Sequence, residues 1–223
     1  GFKVVEVPDT VKPNLYNAAI DYGTGMLYIN ASETLDLTPI ELVNQSGIYL
    51  YDLDKNESFY ISMSTSAFTS VDSTIVTLRL TEISRAAAIR MSGDVSSGGD
   101  GTPIVLAVSA GAVRDLVANL NVPNFNLAVA ETPDKIPPRI TKVVFNAEKG
   151  GKGCKFPQCG AVIVTFSEIL DLSLLVPGKF ILRNAENDIE YPLAATSLVN
   201  VNFTTITLNV PEALRADLIK ISG

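Results

Sequence analysis

Apolar and polar residues alternate over short segments along most of the chain, which is the pattern of half-buried β-strands. In one such segment, alternation directs Leu27, Ile29 and Ala31 to one face, and Tyr28 and Asn30 to the other. β-branched residues are common in these segments, which also favours strands. The first part of the chain is predicted to form strands at residues 14–22, 26–31, 48–53, 58–61, 74–80, 103–110 and 125–130.

Two segments have helical rather than alternating spacing. Residues 82–91 form the first, and Gly93 suits a left-handed stop behind it. In the second, Leu214 and Leu218 share a face, and Pro211 suits the first turn. We therefore predict mainly β structure with two short helices.

The second half of the chain repeats the first. Three pairs of segments match in the same order, with offsets of 135, 130 and 125 residues, and chance does not readily produce three matches in register. The pairs are Ser32–Leu37 with Ser167–Leu172, Thr77–Gly93 with Thr207–Gly223, and Pro8–Pro13 with Pro133–Pro138.

Aligning the two copies predicts the domain boundaries of the chain. Residues 2–7 resemble residues 125–130, so we interpret them as the closing strand of a preceding domain, and the second copy has no counterpart of residues 94–130. We therefore expect the chain to belong to a longer array. The predicted parts are residues 1–11, a closing strand plus linker; 12–135, a complete repeat with its junction; and 136–223, a second repeat that is incomplete at its C-terminal end.

Composition removes several classes of function. Apolar residues make up 47% of the chain and charged residues 18%, which favours a folded protein. There are 24 acidic against 17 basic residues, so nucleic acid is not expected as a partner. Histidine is absent, as are glycine-rich phosphate-binding motifs, and we expect no enzyme. No apolar run is long enough for membrane insertion of this segment.

The two cysteines, Cys154 and Cys159, lie in a loop that is specific to the second copy. They do not complete a zinc site without histidine, and their spacing is not that of a CxxC redox motif. We predict a disulfide formed in an oxidising compartment, with two free thiols as the alternative. The same loop carries Lys149, Lys152 and Lys155, a candidate basic interface or simply a solvated loop.

Four N-x-[ST] sequons are candidates for N-linked glycans. None falls on a position predicted to face the core, which favours modification in a eukaryotic host. Their asparagines are Asn30, Asn44, Asn56 and Asn202.

Acidic residues recur at equivalent places in the two copies and at the junctions before them. Carboxylate oxygens at such junctions are suitable ligands for Ca²⁺, which makes these residues weak calcium candidates. Capping of strand ends and turns explains them without a metal. They are Glu33, Asp36, Glu168, Asp171, Asp9 and Asp134.

Several motifs resemble those of a known family. Val164–Glu168 (VTFSE) and Gly111–Asp115 with Asn119 resemble the "FSE.VD" strand and the late "G.V.D..GN" element of bacterial Ig-like repeats, although Ala118 replaces the glycine. Asp21–Gly25 and the segment 81–92 are similar to repeats in surface proteins of stramenopile algae, including those of tubular mastigonemes. The resemblance implies an all-β fold of tandem Ig-like β-sandwich domains, each with one short helix in a strand connection.

The same resemblance implies an extracellular, cell-surface function. We expect a structural building block of a filament or appendage, a mastigoneme-like glycoprotein array whose partners are further repeats and neighbouring protomers. The alternative is an adhesin module that binds a ligand or carbohydrate through loops such as 92–101.

Overall fold

The fold was obtained as a computed structural model, which describes residues 2–52, 61–62, 67–68, 71–147, 160–184 and 189–221. The chain forms two compact units, residues 1–136 and residues 137–223. Both consist mainly of β-strands, as predicted. Within the described residues, neither helix is long and apolar enough to cross a membrane.

The first unit contains eight strands and one helix in its described part. The inward positions predicted from alternation are confirmed, because Leu27, Ile29 and Ala31 are all buried in one core. The elements are β1 (Leu15–Asp21), β2 (Met26–Leu35), β3 (Ile48–Asp52), β4 (Ile61–Ser62), β5 (Ala67–Phe68), β6 (Ser73–Arg79), α1 (Glu82–Arg90), β7 (Ile104–Val108) and β8 (Asn124–Thr132).

These strands form one continuous curled sheet in the order β4-β3-β7-β8-β1-β2-β6-β5. The described strand pairs are antiparallel except for β1 and β8, which run parallel with Ala18 opposite Val129. This parallel pair joins the two halves of the sheet. The predicted two-layer sandwich is therefore not confirmed, because hydrogen bonds connect strands that a sandwich would place in separate sheets.

Helix α1 begins where predicted. Thr81 caps it, with its side-chain oxygen accepting from the backbone N–H of Ser84 at 3.2 Å. The left-handed stop predicted at Gly93 is wrong, because α1 ends at Arg90 with a right-handed C-cap at Met91, and Gly93 does not have a positive φ. Gly93 instead donates its N–H to the carboxylate of Glu131.

The second unit has a smaller described sheet, in the order β13-β14-β10-β9, and a separate hairpin of β11 with β12. Its core includes Val162, Val164 and Phe166 at the predicted inward positions of β10. The elements are β9 (Ile140–Asn146), β10 (Ala161–Phe166), β11 (Ile181–Arg183), β12 (Glu190–Pro192), β13 (Ser197–Asn202), β14 (Thr205–Asn209) and α2 (Glu212–Ile221).

The same pair of hydrogen bonds occurs within each unit, at residues that the repeat matches. The Ser32 hydroxyl accepts from the N–H of Asn14 at 2.9 Å, and the Ser167 hydroxyl accepts from the N–H of Arg139 at 2.9 Å. In both cases the serine N–H donates back to the carbonyl of the same partner, at 2.8 Å. The repeated "SE" motif therefore ties the start of one strand to the neighbouring strand in each unit.

A second shared network involves the helices. Arg85 donates to the carbonyl of Tyr22 at 2.8 Å, and Arg215 donates to the carbonyl of Ala147 at 2.6 Å. Each arginine also pairs with the glutamate three residues before it, at 2.7 Å. These hydrogen bonds and ion pairs therefore recur at residues that the sequence repeat matches.

The leading segment, residues 2–14, contains no strand in the structure. Its large apolar side chains, including Phe2, Val4, Val5 and Val7, are exposed. The hypothesis that residues 2–7 close a preceding domain stays a prediction, because such a strand needs that domain as a partner.

Candidate functional site

Three carboxylates converge where the leading segment meets the first unit. Oxygens of Asp9, Glu33 and Asp115 all lie within 4.8 Å of one another. We call this cluster the acidic triad. It includes two of the calcium candidates from the sequence, Asp9 and Glu33, together with Asp115, which had not been proposed as a ligand.

Glu33 reaches the triad because β2 changes partner near its end. The pairing of β2 with β6 is irregular between Asn30 and Leu35, and Leu35 forms an antiparallel bridge with Asp115. The next residue, Asp36, donates its N–H to the carbonyl of Arg114 at 2.9 Å. The end of β2 therefore runs beside the loop that carries Asp115.

Asp115 is almost fully buried and organises its own loop. One oxygen accepts from the backbone N–H groups of Val117 at 2.9 Å and Asn119 at 2.7 Å, and the other accepts from the Asn119 amide at 2.7 Å. Burial acts to raise the pKa of Asp115, but these hydrogen bonds outweigh it and lower the pKa. Asp115 is therefore ionised at neutral pH.

Asp9 is held beside this loop by two kinds of contact. Its side chain accepts from the N–H of Val11 at 2.9 Å, and its carbonyl accepts from the Asn119 amide at 3.3 Å. Further along the leading segment, the carbonyl of Pro13 accepts from the N–H of Val122 at 2.9 Å. The segment is thus attached to the Asp115 loop at both Asp9 and Pro13.

Glu33 is the carboxylate that this arrangement destabilises in its ionised form. Its Oε1 atom is buried and has no hydrogen-bond donor among the residues that the structure describes. Burial, followed by the negative charges of Asp9 and Asp115, raises the pKa of Glu33. Binding of a cation, or protonation of Glu33, relieves this repulsion.

The oxygen chemistry of the triad fits Ca²⁺. Calcium takes 6–8 oxygen ligands, and carboxylates bind it through one or both oxygens. Three carboxylates supply part of such a set, and backbone carbonyls and water complete it in calcium sites generally.

The other calcium candidates have different partners. Asp36 accepts from Arg114 at 2.8 Å, and Asp134 accepts from Arg85 at 2.5 Å. Asp171 caps a short turn by accepting from the N–H of Ser173 at 2.9 Å. Glu168 is not part of any carboxylate cluster within the described ranges, and it too has an interaction partner. The structure therefore brings two of the six candidates together with Asp115, and calcium binding stays a prediction for all six.

The sequons lie in different settings. Asn44 is exposed before a short turn, and its side chain accepts from the Ser46 hydroxyl at 2.7 Å. Asn202 is exposed at the end of β13, whereas Asn30 is half-buried within β2. Asn56 lies outside the described residues. Glycosylation stays a prediction at all four positions.

The predicted disulfide and basic loop also lie outside the described residues. This applies to Cys154 and Cys159 and to Lys149, Lys152 and Lys155. Their pairing and contacts stay predictions from the sequence.

Comparisons with known proteins assign no family. No protein-family model matches the chain, and no curated protein matches it. Among solved structures, the N-terminal part of the bacterial S-layer protein SbsC matches with 10% sequence identity and a TM-score of 0.29. The match covers 91% of this chain and 45% of that chain, so this chain spans less than half of the S-layer fragment. A likeness this weak supports no conclusion about the fold or the function of this chain.

Proposed function

We propose that this chain is a structural building block of an extracellular filament or cell-surface appendage, built from tandem Ig-like repeats. The expected setting is a mastigoneme-like glycoprotein array, and no enzymatic activity is expected. The proposal joins the family resemblance of the sequence motifs to the anchoring of the junction segments in the structure.

The observation that carries the proposal is that both junction motifs are fixed to the first unit. The Pro-Asp motif before this unit attaches through Asp9 to Asn119, and the one after it attaches through Asp134 to Arg85. Both aspartates also accept from the backbone N–H two residues ahead, at 2.9 Å. A free linker needs none of these contacts, whereas a stiff array of repeats requires its junctions to be held in place.

The two anchors differ in how firmly they hold. Asp134 forms an ion pair with the buried guanidinium of Arg85, so its charge is balanced without a metal ion. Asp9 faces two other carboxylates, so its anchor is weakened by repulsion until a cation binds. We propose that Ca²⁺ at the acidic triad strengthens the attachment of the leading segment to the first unit.

Isolated surface appendages of the source organism test this function. Quantitative mass spectrometry should find peptides of this chain as a major, stoichiometric component of the shed and purified appendages. Recovery of the chain mainly from the cell interior would contradict the proposal. A trace amount, confined to the cell surface and absent from the appendages, would favour the adhesin instead.

The adhesin alternative has one observation in its favour. The loop after α1 is well organised, because Asp94 accepts from the N–H and hydroxyl of Ser96 at 3.0 and 2.6 Å. Val95 is exposed on this loop. A Val95→Asp variant should lose glycan-array binding if the loop recognises a carbohydrate, and the proposed structural role predicts no binding by either protein.

A further inference from the structure

Strand β9 of the second unit occupies the place that β1 has in the first. Leu15 and Ala18 of β1 lie opposite Ala31 and Ile29 of β2. Ile140 and Val143 of β9 lie opposite Phe166 and Val164 of β10, which are the matching residues of the second copy. The environments of the two strands can therefore be compared residue by residue.

The comparison shows that β9 has an open edge. In the first unit β1 lies between β2 and β8, whereas in the described part of the second unit β9 pairs with β10 alone. Leu15 and Ala18 are 1% and 0% exposed, but their counterparts Ile140 and Val143 are 53% and 45% exposed.

These exposed side chains belong to the core face. Val143 lies opposite Val164, which is buried in the core of the second unit. Residues opposite each other on antiparallel strands point to the same face of the sheet, so Val143 points inward. The open edge therefore exposes apolar core positions, the kind of surface that takes up an additional strand.

The first unit shows which strand fits such an edge. There β8 runs parallel to β1, with Val129 opposite Ala18. Its buried side chains include Leu127 and Val129, two residues apart, as strand geometry requires. By analogy, the strand that fits beside β9 is a parallel one with apolar residues at alternate positions.

Residues 2–7 of this chain have that pattern. Phe2 and Val4 are two residues apart, exposed, and outside any strand. Counted back from the Pro-Asp motif that follows each segment, Phe2 and Val4 stand where Leu127 and Val129 stand in β8. We propose that residues 2–7 of a second copy of this chain pair in parallel with β9, with Val4 opposite Val143 and with Phe2 and Val4 covering the core.

This pairing is head-to-tail, because the donor segment and the acceptor edge are different surfaces. Such contacts add one copy to the next and build open linear assemblies wherever the ends do not meet to close a ring. The inference deepens the function proposed above by naming a partner, and rests on it only for the extracellular setting. Self-association through β9 and calcium binding at the triad succeed or fail independently.

Analytical ultracentrifugation of the purified 223-residue chain tests the pairing. The intact protein should move from its monomer mass of 23.8 kDa to dimers and larger species as concentration rises. A donor variant, Phe2→Asp with Val4→Asp, should stay monomeric, and so should an acceptor variant, Val143→Lys. Val144→Lys is the matched control: Val144 follows Val143 on the opposite face, so this variant should associate like the intact protein.

Mixing the two monomeric variants separates loss of pairing from misfolding. The donor variant keeps its β9 edge and the acceptor variant keeps residues 2–7, so an equimolar mixture should form a one-to-one dimer and nothing larger. A synthetic peptide of residues 124–132, the β8 sequence, should also dissociate assemblies of the intact chain. A monomeric intact chain, a mixture that stays monomeric, or an equal defect in Val144→Lys would overturn the proposal.

Discussion

Glu33 and Asp115 are 82 residues apart in the chain, yet their carboxylate oxygens lie within 4.8 Å of one another and of Asp9. Asp115 is stabilised as an anion by the amide groups of its own loop, and Glu33 has no such donor on its buried oxygen among the described residues. The repulsion therefore falls on Glu33, and the raised pKa of this residue records it.

Neutralising Glu33 should stabilise the protein when no divalent cation is present. The pKa of Glu33 is raised in the folded state, so its ionised form disfavours folding above that pKa. Glu33→Gln should therefore increase the free energy of unfolding at pH 7 by up to about 1 kcal/mol. The gain should shrink as pH falls through the folded-state pKa of Glu33, where the wild-type residue becomes protonated. Urea unfolding across this pH range measures the effect, with the exposed Glu41→Gln as control.

Calcium should reverse the order of stability, so that the wild type becomes more stable than Glu33→Gln. We expect Ca²⁺ to bind the wild type with a dissociation constant of about 10⁻⁴–10⁻³ M, the range of extracellular modules, and to raise its melting temperature. Binding should weaken as Glu33 is protonated, since proton and cation compete. Glu33→Gln should bind much more weakly, and Glu41→Gln should bind normally in isothermal titration calorimetry. Equal affinities in all three proteins would exclude the triad as the site.

The left-handed backbone at Ala118 should be a source of strain. Ala118 has a φ of 70°, in the region that glycine adopts freely, and the Ig-like motif has glycine at this position. Ala118→Gly should stabilise the first unit by about 0.5–1 kcal/mol after the extra entropy of the unfolded chain is subtracted. Ala110→Gly, at an exposed turn residue outside this region, should not stabilise it. Equilibrium urea unfolding distinguishes the two outcomes.

Arg85 should be important for the stability of the first unit. It is buried, pairs with Glu82 and Asp134, and donates to the carbonyl of Tyr22. Arg85→Met leaves these acceptors without their cation and should cost about 3 kcal/mol. The matching Arg215→Met should cost clearly less, because its partner Glu212 is largely exposed. Hydrogen exchange measured separately in each unit checks both, and an equal loss of protection would contradict this account of Arg85.

Local features of the fold were predictable from the sequence. Alternation identified the buried positions of β2 and β10, and the spacing of apolar residues placed α1. These features depend on residues close together in the chain. The parallel pairing of β1 with β8 was not predictable, because alternation shows which face of a strand is buried but not which strand lies beside it.

The same limit applies to the candidate site. The sequence drew attention to Glu33 and Asp36 together, but only the fold shows that Arg114 neutralises Asp36 and leaves Glu33 with Asp115. Asp115 carried one signal, since it belongs to the motif that resembles the late element of Ig-like repeats. Its distance from Glu33 depends on the bridge between Leu35 and Asp115, which joins distant parts of the chain.

As proposed, this chain is a repeating component of an extracellular assembly. Immunogold electron microscopy of intact, unpermeabilised source cells, with antibody fragments raised against residues 12–135, tests it most directly. We expect gold particles at regular intervals along surface filaments or appendages, and we expect their loss when the antibody is first absorbed with the purified chain. Labelling that appears only after the cells are permeabilised would contradict it.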